Sequence, residues 1–508
     1  MKSSLLYRNY DDSLVLFEGP LSEAMSNTVY DLSIDKAAWE FARNNDCFNY
    51  FMEVIKKPLT DVADVKYRQD VLMDFIAMPK LLEELRLIFK SYDSLQSDWH
   101  EMRSSIYVYG VPNTSRGILD STYESLKVTA AFAKNTVSYF RSIRDTVEKY
   151  QVKSEGLLGI KRFCAEMTEN TALDELSEIA ASFTRDNIEA YEFSVRAETD
   201  DTLTIRSASL TEAVELEDKS LGRSFKKLFG NIGKVQKEAG LAPEVDLGEY
   251  HVEDAQTILN EALYELYTAL AGITGNIYEF FRGLSGELSF YDTGLRYCRY
   301  LSDAGMPMCM PQMLPEEEEC FKANEIYDLQ LLVEGLTAEE TVRNAVRFDK
   351  ENEGILIRGH NSGGKTCYLR AIGAAQLFAQ AGLPVCASAA RISLRRAVFA
   401  QFSSSEKDFA VGDAAGRFEG EVQDLAEIIN SLVPHSLILL NETFQTTAYS
   451  EGMAGIREIL ETLPMIDTKY IFVTHLVQLF GQMDKTKVRL LEFDATGENA
   501  HKVRPYAG

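Results

Sequence analysis

The sequence predicts two unlike regions, a long helical region that carries a small β-containing tip and a C-terminal α/β domain. Three observations support this prediction. Apolar residues recur at three- and four-residue spacing over about 33–190 and again over 251–284, as in helices with one buried face. The segment at 194–210 alternates apolar and polar residues, as strands do. Beyond about residue 316, apolar strands alternate with helical segments, which is typical of α/β domains.

The order of these elements predicts where domains begin and end. The alternating segment surrounds an Asp-Asp pair, which indicates a β-hairpin between the two helical runs. Three prolines precede an acidic run at 316–319, which we interpret as a linker. The predicted domains are an N-terminal segment with a helical core (1–130), helical arms with an insertion near 190–250 (131–315), and the α/β domain (316–508).

Length and composition indicate a globular protein. The chain has 508 residues, enough for roughly three or four structural units, with 45% apolar and 26% charged residues. Its apolar runs are shorter than the roughly 18 residues that cross a membrane, and acidic residues interrupt the N-terminal segment where a signal peptide would be apolar. Seven scattered cysteines without a CxxC pair predict neither a disulfide framework nor a zinc site. We therefore expect a cytoplasmic protein without a membrane partner.

Charge is distributed unevenly along the chain. There are 52 Lys and Arg against 78 Asp and Glu, a net charge of −26, and almost all of the excess lies in residues 1–340. A protein that binds a long polyanion usually has the opposite balance. One acid-free segment is an exception, and it is either a solvated loop or a tip that contacts phosphates. Its basic residues, our candidates for DNA contact, are Lys219, Arg223, Lys226, Lys227, Lys234 and Lys237.

The strongest motif is GILIRGHNSGGKT at 354–366, which matches the P-loop pattern G-x-x-x-x-G-K-[ST] between an apolar strand and a helix. Its glycines allow backbone N–H groups to close around phosphate oxygens at a helix N-terminus. In such a loop Lys365 reaches the β- and γ-phosphates, and the Thr366 hydroxyl ligates Mg²⁺. The predicted ATP-binding residues of the loop are Gly359, His360, Asn361, Ser362, Gly363, Gly364, Lys365 and Thr366.

Two further strands end in polar residues and complete the candidate site. The strand SLILLNETF at 436–444 fits a Walker B strand, so Glu442 is the candidate general base for a water nucleophile. The preceding residue is Asn441, where Asp is usual, and its neutral amide should bind Mg²⁺ more weakly. The strand KYIFVTHL ends in His475, which is either structural or in contact with the γ-phosphate and the water. We predict catalytic roles for Glu442, His475 and Lys365, and magnesium contacts for Thr366 and Asn441.

Together these segments resemble the MutS family of mismatch-repair ATPases, a branch of the ABC-type P-loop ATPases. GHNSGGKT is similar to the family's GPNMGGKS, the segment at 441–452 resembles its Walker B strand and following loop, and VTH resembles its Ala-Thr-His. Asn344 stands where the family has an Asn that contacts the nucleotide base. A weaker likeness, to the opening of the family's core helices, covers 56–75. The segment at 416–429 resembles the signature helix that acts on the partner subunit's nucleotide, and its matching positions are Gly416, Arg417, Phe418 and Glu421.

The resemblance implies helical core and lever arms with a clamp tip, followed by an ABC-type ATPase domain. It also implies a homodimer that binds ATP with Mg²⁺ and closes its arms on duplex DNA, mismatched or branched. Gly416 replaces the signature Ser and Asn441 the Walker B Asp, so we expect slow hydrolysis. The core-helix likeness begins early, so we expect neither the family's mismatch-reading domain nor its connector domain. The alternative is a nucleotide-dependent switch or scaffold that holds a protein or ribonucleoprotein partner, which the acidic helical region favours.

Overall fold

A computed structural model describes most of the chain. The described residues are 3–9, 23–108, 115–169, 191–199, 205–215, 252–360, 363–402, 414–443, 449–494, 497 and 500–506. They form two compact units, one containing 83–151 and 160–285, the other containing 2–82, 152–159 and 286–508. Residues 3–9 and 23–82 therefore fold together with the C-terminal α/β residues.

The N-terminal region is helical, as predicted, and carries the predicted hairpin. Strand β1 pairs antiparallel with β2, in agreement with the alternating pattern of the sequence. None of the helices in the described ranges combines the length and the apolar character of a membrane span. The elements are α1 (Glu23–Asp31), α2 (Ile34–Phe41), α3 (Asn45–Lys56), α4 (Val62–Ala77), α5 (Pro79–Val108), α6 (Ser115–Lys149), α7 (Glu155–Glu169), β1 (Tyr191–Thr199), β2 (Ile205–Glu215) and α8 (Val252–Asp303).

Aromatic side chains form the core of the unit that contains 83–151 and 160–285. The rings of Tyr92 and Phe281 stack with their centroids 3.9 Å apart. Phe140 contacts Phe281 at 5.1 Å, and Phe163 contacts Phe280 at 4.6 Å. All five side chains are buried. Because such rings bury large apolar areas in few rotamers, they hold α5, α6, α7 and α8 together within this unit.

The C-terminal region is a mixed α/β domain with two sheets, which confirms this part of the predicted fold class. Its helices are α9 (Leu329–Val333), α10 (Lys365–Gln380), α11 (Ala414–Ser431), α12 (Tyr449–Thr462) and α13 (Val477–Gln482). Its strands are β3 (Gln312–Leu314), β4 (Phe321–Ile326), β5 (Asn344–Phe348), β6 (Gly354–Gly359), β7 (Ala389–Ser393), β8 (Val398–Phe402), β9 (Leu437–Asn441), β10 (Lys469–Val473), β11 (Val488–Phe493) and β12 (Val503–Pro505).

The strand order explains the continuous apolar runs of the sequence. The larger sheet has the order β12-β11-β6-β10-β9-β8, and all of its strands except β12 are parallel. Every residue of β8, β9 and β10 is buried, as expected for parallel strands covered on both faces. The smaller sheet has the order β3-β7-β4-β5. Apolar residues of β4 and β5 line one small void with Ile372 of α10, so α10 packs against the inner face of this sheet.

The acidic run at 316–319 is not the linker that we expected. It forms a short 3₁₀ helix, and Glu316 pairs with Arg396 at 2.6 Å. Glu319 is buried and lies 2.9 Å from the ammonium group of Lys469 on β10. These ion pairs attach the run to the α/β domain, because a buried carboxylate requires a partner charge. Composition alone does not show such partners, which lie 80 and 150 positions further along the chain.

Helix α1 covers the edge of the larger sheet. The N–H group of Ala400 donates to Thr28 Oγ1, and the N–H group of Phe402 donates to Asp31 Oδ2, both at 2.9 Å. These outward N–H groups of β8 would otherwise be open to pairing with another strand. The N-terminal helical residues thus complete the hydrogen bonding of the α/β domain.

A buried glutamine connects the end of α10 to two other segments. The side-chain N–H groups of Gln380 donate to the carbonyl oxygens of Leu59 and Arg395, at 2.7 and 2.8 Å. Its Oε1 accepts from Gln376 Nε2 at 2.7 Å and from the Arg395 N–H at 3.0 Å. Two donors and two acceptor positions are all that a glutamine amide has, so this side chain is fully hydrogen-bonded.

The N-terminal residues are anchored to a buried carboxylate on α8. Glu287 accepts hydrogen bonds from Ser4 Oγ at 2.5 Å and from the Leu5 N–H at 2.6 Å. Arg68, also buried, donates from Nε to the Leu6 carbonyl oxygen at 2.8 Å. Burial raises the pKa of Glu287 to about 7, against the opposing effects of these hydrogen bonds and of Arg68.

We predict that Glu287 makes folding stability pH-dependent. Its folded-state pKa is above its ordinary value of 4.5, so the stabilisation is complete below pH 4.5 and is lost as pH rises through 7. The shift corresponds to about 3 kcal/mol in the free energy of unfolding. Urea unfolding between pH 4.5 and 8 should show this loss for the wild type and not for Glu287→Gln. Glu279→Gln, an exposed acid on the same helix, is the control, and identical pH profiles for all three proteins would contradict the prediction.

Candidate functional site

The P-loop forms the turn between β6 and α10. Gly364 has φ +91°, in the left-handed region that side chains disfavour. The Gly363 N–H donates to the His360 carbonyl at 3.1 Å, and a Cβ at Gly363 would lie 2.9 Å from that oxygen. Glycine is therefore required at both positions for the turn to close. The next residue begins α10, whose first N–H groups have no partner within the helix and favour an anion. Two predicted loop residues, Asn361 and Ser362, lie outside the described residues.

Lys365 is buried among oxygen atoms at the start of α10. Its ammonium group donates to the carbonyl oxygens of Gly359 and His360, each at 2.9 Å. It also lies 3.5 Å from Oε1 of Glu442. The positive charge is thus held inside the loop, where it would meet phosphate oxygens.

Glu442 connects this lysine to the third strand of the site. It follows β9 with φ +58°, a conformation that costs a non-glycine residue about 1–3 kcal/mol and is common at functional sites. Its N–H donates to the Val473 carbonyl at 2.9 Å, which fixes it to the end of β10. Its Oε1 lies 2.7 Å from Nε2 of His475. The structure therefore brings together Lys365, Glu442 and His475, which the sequence placed on three separate strand ends.

Asn441 and Thr366 lie side by side below the loop. The Asn441 amide nitrogen lies 3.3 Å from Thr366 Oγ1. The Asn441 Oδ1 atom is buried and has no hydrogen-bond partner among the described residues. An oxygen acceptor of this kind beside a hydroxyl fits Mg²⁺, which binds oxygen and usually keeps several of its waters.

A cavity of about 630 Å³ extends from these residues. This volume lies within the range typical of small-molecule sites. Its polar lining includes Lys365, Thr366, Asn441 and Glu442. Its apolar lining includes Ile326, Leu331, Leu336 and Val342. A lining with both a P-loop lysine and apolar side chains suits a ligand that carries phosphates and a flat base.

Two features of the cavity were not predicted from the sequence. Asp328 caps α9 and accepts a hydrogen bond from Nε of Arg370 at 2.8 Å. Burial raises the pKa of Asp328, and the charge of Arg370 opposes this effect. His501 lies at the cavity beside Gly364. Asp328 and Arg370 are 42 positions apart, so their pairing leaves no local pattern in the sequence. His501 is an isolated histidine near the C-terminus and has no motif around it.

Asn344, predicted to contact a nucleotide base, borders the cavity but already has hydrogen-bond partners. Its Nδ2 donates to the His501 carbonyl at 3.1 Å, and its Oδ1 accepts from the Val503 N–H at 2.9 Å. These bonds fix the C-terminal residues beside the P-loop. The side chain thereby positions His501 at the cavity.

The predicted signature positions lie on α11. Gly416, Arg417 and Phe418 belong to its first turns, where the structure describes the backbone alone. Glu421 is buried, and its carbonyl oxygen accepts from Gln401 Nε2 at 2.7 Å. The six basic residues proposed for DNA contact lie outside the described residues: Lys219, Arg223, Lys226, Lys227, Lys234 and Lys237.

Comparison with known protein families assigns both regions of the chain. Residues 355–505 match MutS domain V, and residues 60–304 match the MutS2 N-terminal domain. The chain belongs to the MutS family. This agrees with the resemblance of its P-loop, Walker B and Val-Thr-His segments to those of the family.

Individual MutS-family relatives match parts of the chain. "Endonuclease MutS2" of Thermus thermophilus is 34% identical over 140 residues, 28% of this chain and 18% of the relative. The protein of the same name from Streptococcus thermophilus is 33% identical over 139 residues, which are 27% of this chain and 17% of the relative. "DNA mismatch repair protein MutS" of Synechococcus sp. is 28% identical over 279 residues, which are 53% of this chain and 30% of the relative. The chain therefore spans less than a third of the length of each of these relatives.

We predict that Asn441→Asp strengthens magnesium binding at this MutS-family site. A carboxylate beside Thr366 adds a negative charge that the amide lacks, so Mg²⁺ affinity in the presence of ATP should rise by about ten-fold. Magnesium titrations of ATP binding measure the change. Asn135→Asp, at an exposed position of α6, introduces the same charge elsewhere. Equal magnesium dependence in both variants would show that Asn441 does not face the ion.

Proposed function

We propose that this chain is an ATPase in which a dimeric nucleotide switch is coupled to DNA binding, in mismatch repair or a related DNA transaction. One observation carries the ATPase part. Glu442 lines a nucleotide-sized cavity, and its Oε1 lies 3.5 Å from the ammonium group of Lys365 and 2.7 Å from Nε2 of His475. Family membership supports the same activity.

The residues present support a mechanism of in-line attack by water on a terminal phosphate. The Glu442 carboxylate orients the water and accepts its proton. His475 holds this carboxylate through the 2.7 Å contact, and Lys365 neutralises charge on the transferred group. Thr366 and Asn441 would hold Mg²⁺, which neutralises phosphate charge when bound. With Asn rather than Asp at 441, we expect slow turnover.

The dimeric part of the proposal rests on the signature helix. Gly416, Arg417, Phe418 and Glu421 would complete the nucleotide site of a partner subunit, as the family resemblance implies. Gly416 lacks a hydroxyl and leaves only a backbone N–H near the start of α11, a weaker contact for a γ-phosphate. This is a second reason to expect slow hydrolysis by a homodimer.

The arms complete the proposed switch. We assign the long helices α5, α6, α7 and α8 to the lever arms and the hairpin β1–β2 to the clamp tip. The aromatic core of these helices suits this role, since packed helices transmit motion as rigid elements. The basic segment after the hairpin would supply phosphate contacts, and we place the protein in the cytoplasm.

We predict that Glu442→Gln separates binding from hydrolysis. Loss of the base should lower the ATP hydrolysis rate by about 10²-fold or more, because general-base catalysis contributes this much. ATP binding should remain, while Lys365→Ala should lose both. Steady-state phosphate release and titration with a fluorescent ATP analogue measure the two effects. Glu461→Gln, an exposed acid paired with Arg457, is the matched control. An unchanged rate in Glu442→Gln would refute the assignment of the base.

A second candidate function is a nucleotide-dependent scaffold for a protein or ribonucleoprotein partner. The charge distribution favours it, because the net charge is −26 and nearly all of the excess lies in residues 1–340. Such a surface repels nucleic acid except where basic residues are concentrated. The scaffold needs the same ATP site but no DNA affinity.

A titration with matched, mismatched and branched duplexes separates the two functions. The DNA-coupled switch should bind duplex with a steep salt dependence, respond to ATP, and hydrolyse ATP faster when DNA is present. Lys365→Ala is the control for the nucleotide response. Dimerisation on ATP binding without DNA affinity at low salt would instead establish the scaffold.

A further inference from the structure

A row of cations crosses the exposed face of the four-stranded sheet. Lys322 of β4 pairs in register with Arg347 of β5 on one side and with Arg391 of β7 on the other. All three residues are exposed, whereas their strand neighbours Phe321, Phe348 and Ile392 are buried on the opposite face. Adjacent strands lie about 4.8 Å apart, so the three backbone positions span about 10 Å. We name these three residues the cation row.

A fourth cation extends the cation row beyond the edge of the sheet. Arg489 of β11 donates from Nη1 to the carbonyl oxygen of Arg347 at 2.7 Å. On the other side, the residue paired with Arg391 is Gln312 of β3, which is exposed and uncharged. Arg489 therefore adds a fourth positive charge next to the Arg347 end of the cation row.

The cation row has no acidic partner among the described residues. Like charges placed directly opposite each other on neighbouring strands destabilise a sheet. No ion pair in the described part of the chain includes Lys322, Arg347 or Arg391, although Asp and Glu outnumber Lys and Arg by 78 to 52. Some exposed cations elsewhere pair with acids on their own helix, as Lys66 does with Asp70 and Arg457 with Glu461.

The surroundings of the cation row suit a large, regular polyanion. Exposed positions near it on these strands include Ala389, Asn324 and Ala345, whose side chains are short and uncharged. About 10 Å of duplex carries about six phosphate charges, enough to face all four cations. The exposed positions of these strands include no aromatic side chain for stacking on bases, which single-stranded nucleic acid would use.

We propose that the cation row binds the phosphate backbone of duplex DNA. The cation row offers hydrogen-bond donors to phosphates, and phosphate contacts carry no sequence information, so binding is independent of sequence. The contact belongs to the α/β domain and is additional to the basic segment at 219–237. It deepens the DNA-binding part of the proposed function and does not depend on ATP hydrolysis.

The test compares two triple variants with the same change in charge. Lys322→Gln, Arg347→Gln and Arg391→Gln together remove the cation row. Lys66→Gln, Arg282→Gln and Arg457→Gln together remove three exposed cations that pair with acids within their own helices. A random-sequence 30-bp DNA duplex is titrated into the full chain at several salt concentrations. Each lost phosphate contact should lower the salt slope by about 0.9, so the first variant should lose up to about 3 units of slope and at least ten-fold in affinity. The control should differ little from the wild type.

Each result either supports or overturns the proposal. If the wild type binds duplex and the first variant keeps its affinity and slope, the proposal is wrong while DNA binding stands. If the wild type does not bind duplex at low salt, the cation-row proposal and the DNA-binding part of the proposed function are both wrong. The ATPase assay then reports separately on the nucleotide site. Poly-glutamate or duplex RNA is titrated in parallel, and variant-sensitive binding of either one without DNA binding would reassign the surface. Circular dichroism and unchanged basal ATP hydrolysis verify that the variants are folded.

Discussion

Parallel pairing of three buried strands is the constraint on which the site depends. Val473 of β10 lies in register with Ile357 of β6 and with Asn441 of β9, so β9 and β10 end at the same level and β6 ends two residues beyond it. Because the strands are parallel, the P-loop, Glu442 and His475 then emerge at the same edge of the sheet. A shift of one residue in this register would turn the side chains of a strand to the opposite face and separate the acid from the lysine. The long apolar sequences of these strands therefore serve the chemistry as well as the core.

The sequence predicted what local patterns encode. The P-loop, the polar ends of β9 and β10, the hairpin and the division into helical and α/β regions are each contained in a short segment, where periodicity or spacing reveals them. Contacts between distant segments were missed for a physical reason. Asp328 with Arg370, and Asn344 with His501, meet only after the chain has folded, and none of these residues has a pattern of its own. The acidic run at 316–319 was misread as a linker for the same reason, since its partners Arg396 and Lys469 come much later in the chain.

Net charge proved less informative than its placement. A total of −26 suggests a protein that avoids polyanions, yet the α/β domain presents unpaired cations in register on adjacent strands. An acidic protein repels polyanions over most of its surface, which lowers nonspecific binding. A few concentrated basic surfaces then determine where a polyanion binds and how it is oriented. Register pairing in a sheet is one way to concentrate charge that a residue count along the chain cannot detect, because Lys322, Arg347 and Arg391 are far apart in sequence.

The fully hydrogen-bonded side chain of Gln380 restricts how α10, the helix after the P-loop, can move. Its four hydrogen bonds join the last turn of α10 to Leu59, just before α4, and to Arg395, just before β8. A displacement of α10 along its axis would stretch several short bonds at once and leave buried polar groups without partners. Sliding of the helix that follows the P-loop is therefore coupled to the segments on either side of its far end. An axial shift of α10 would have to carry the start of α4 with it or break these bonds.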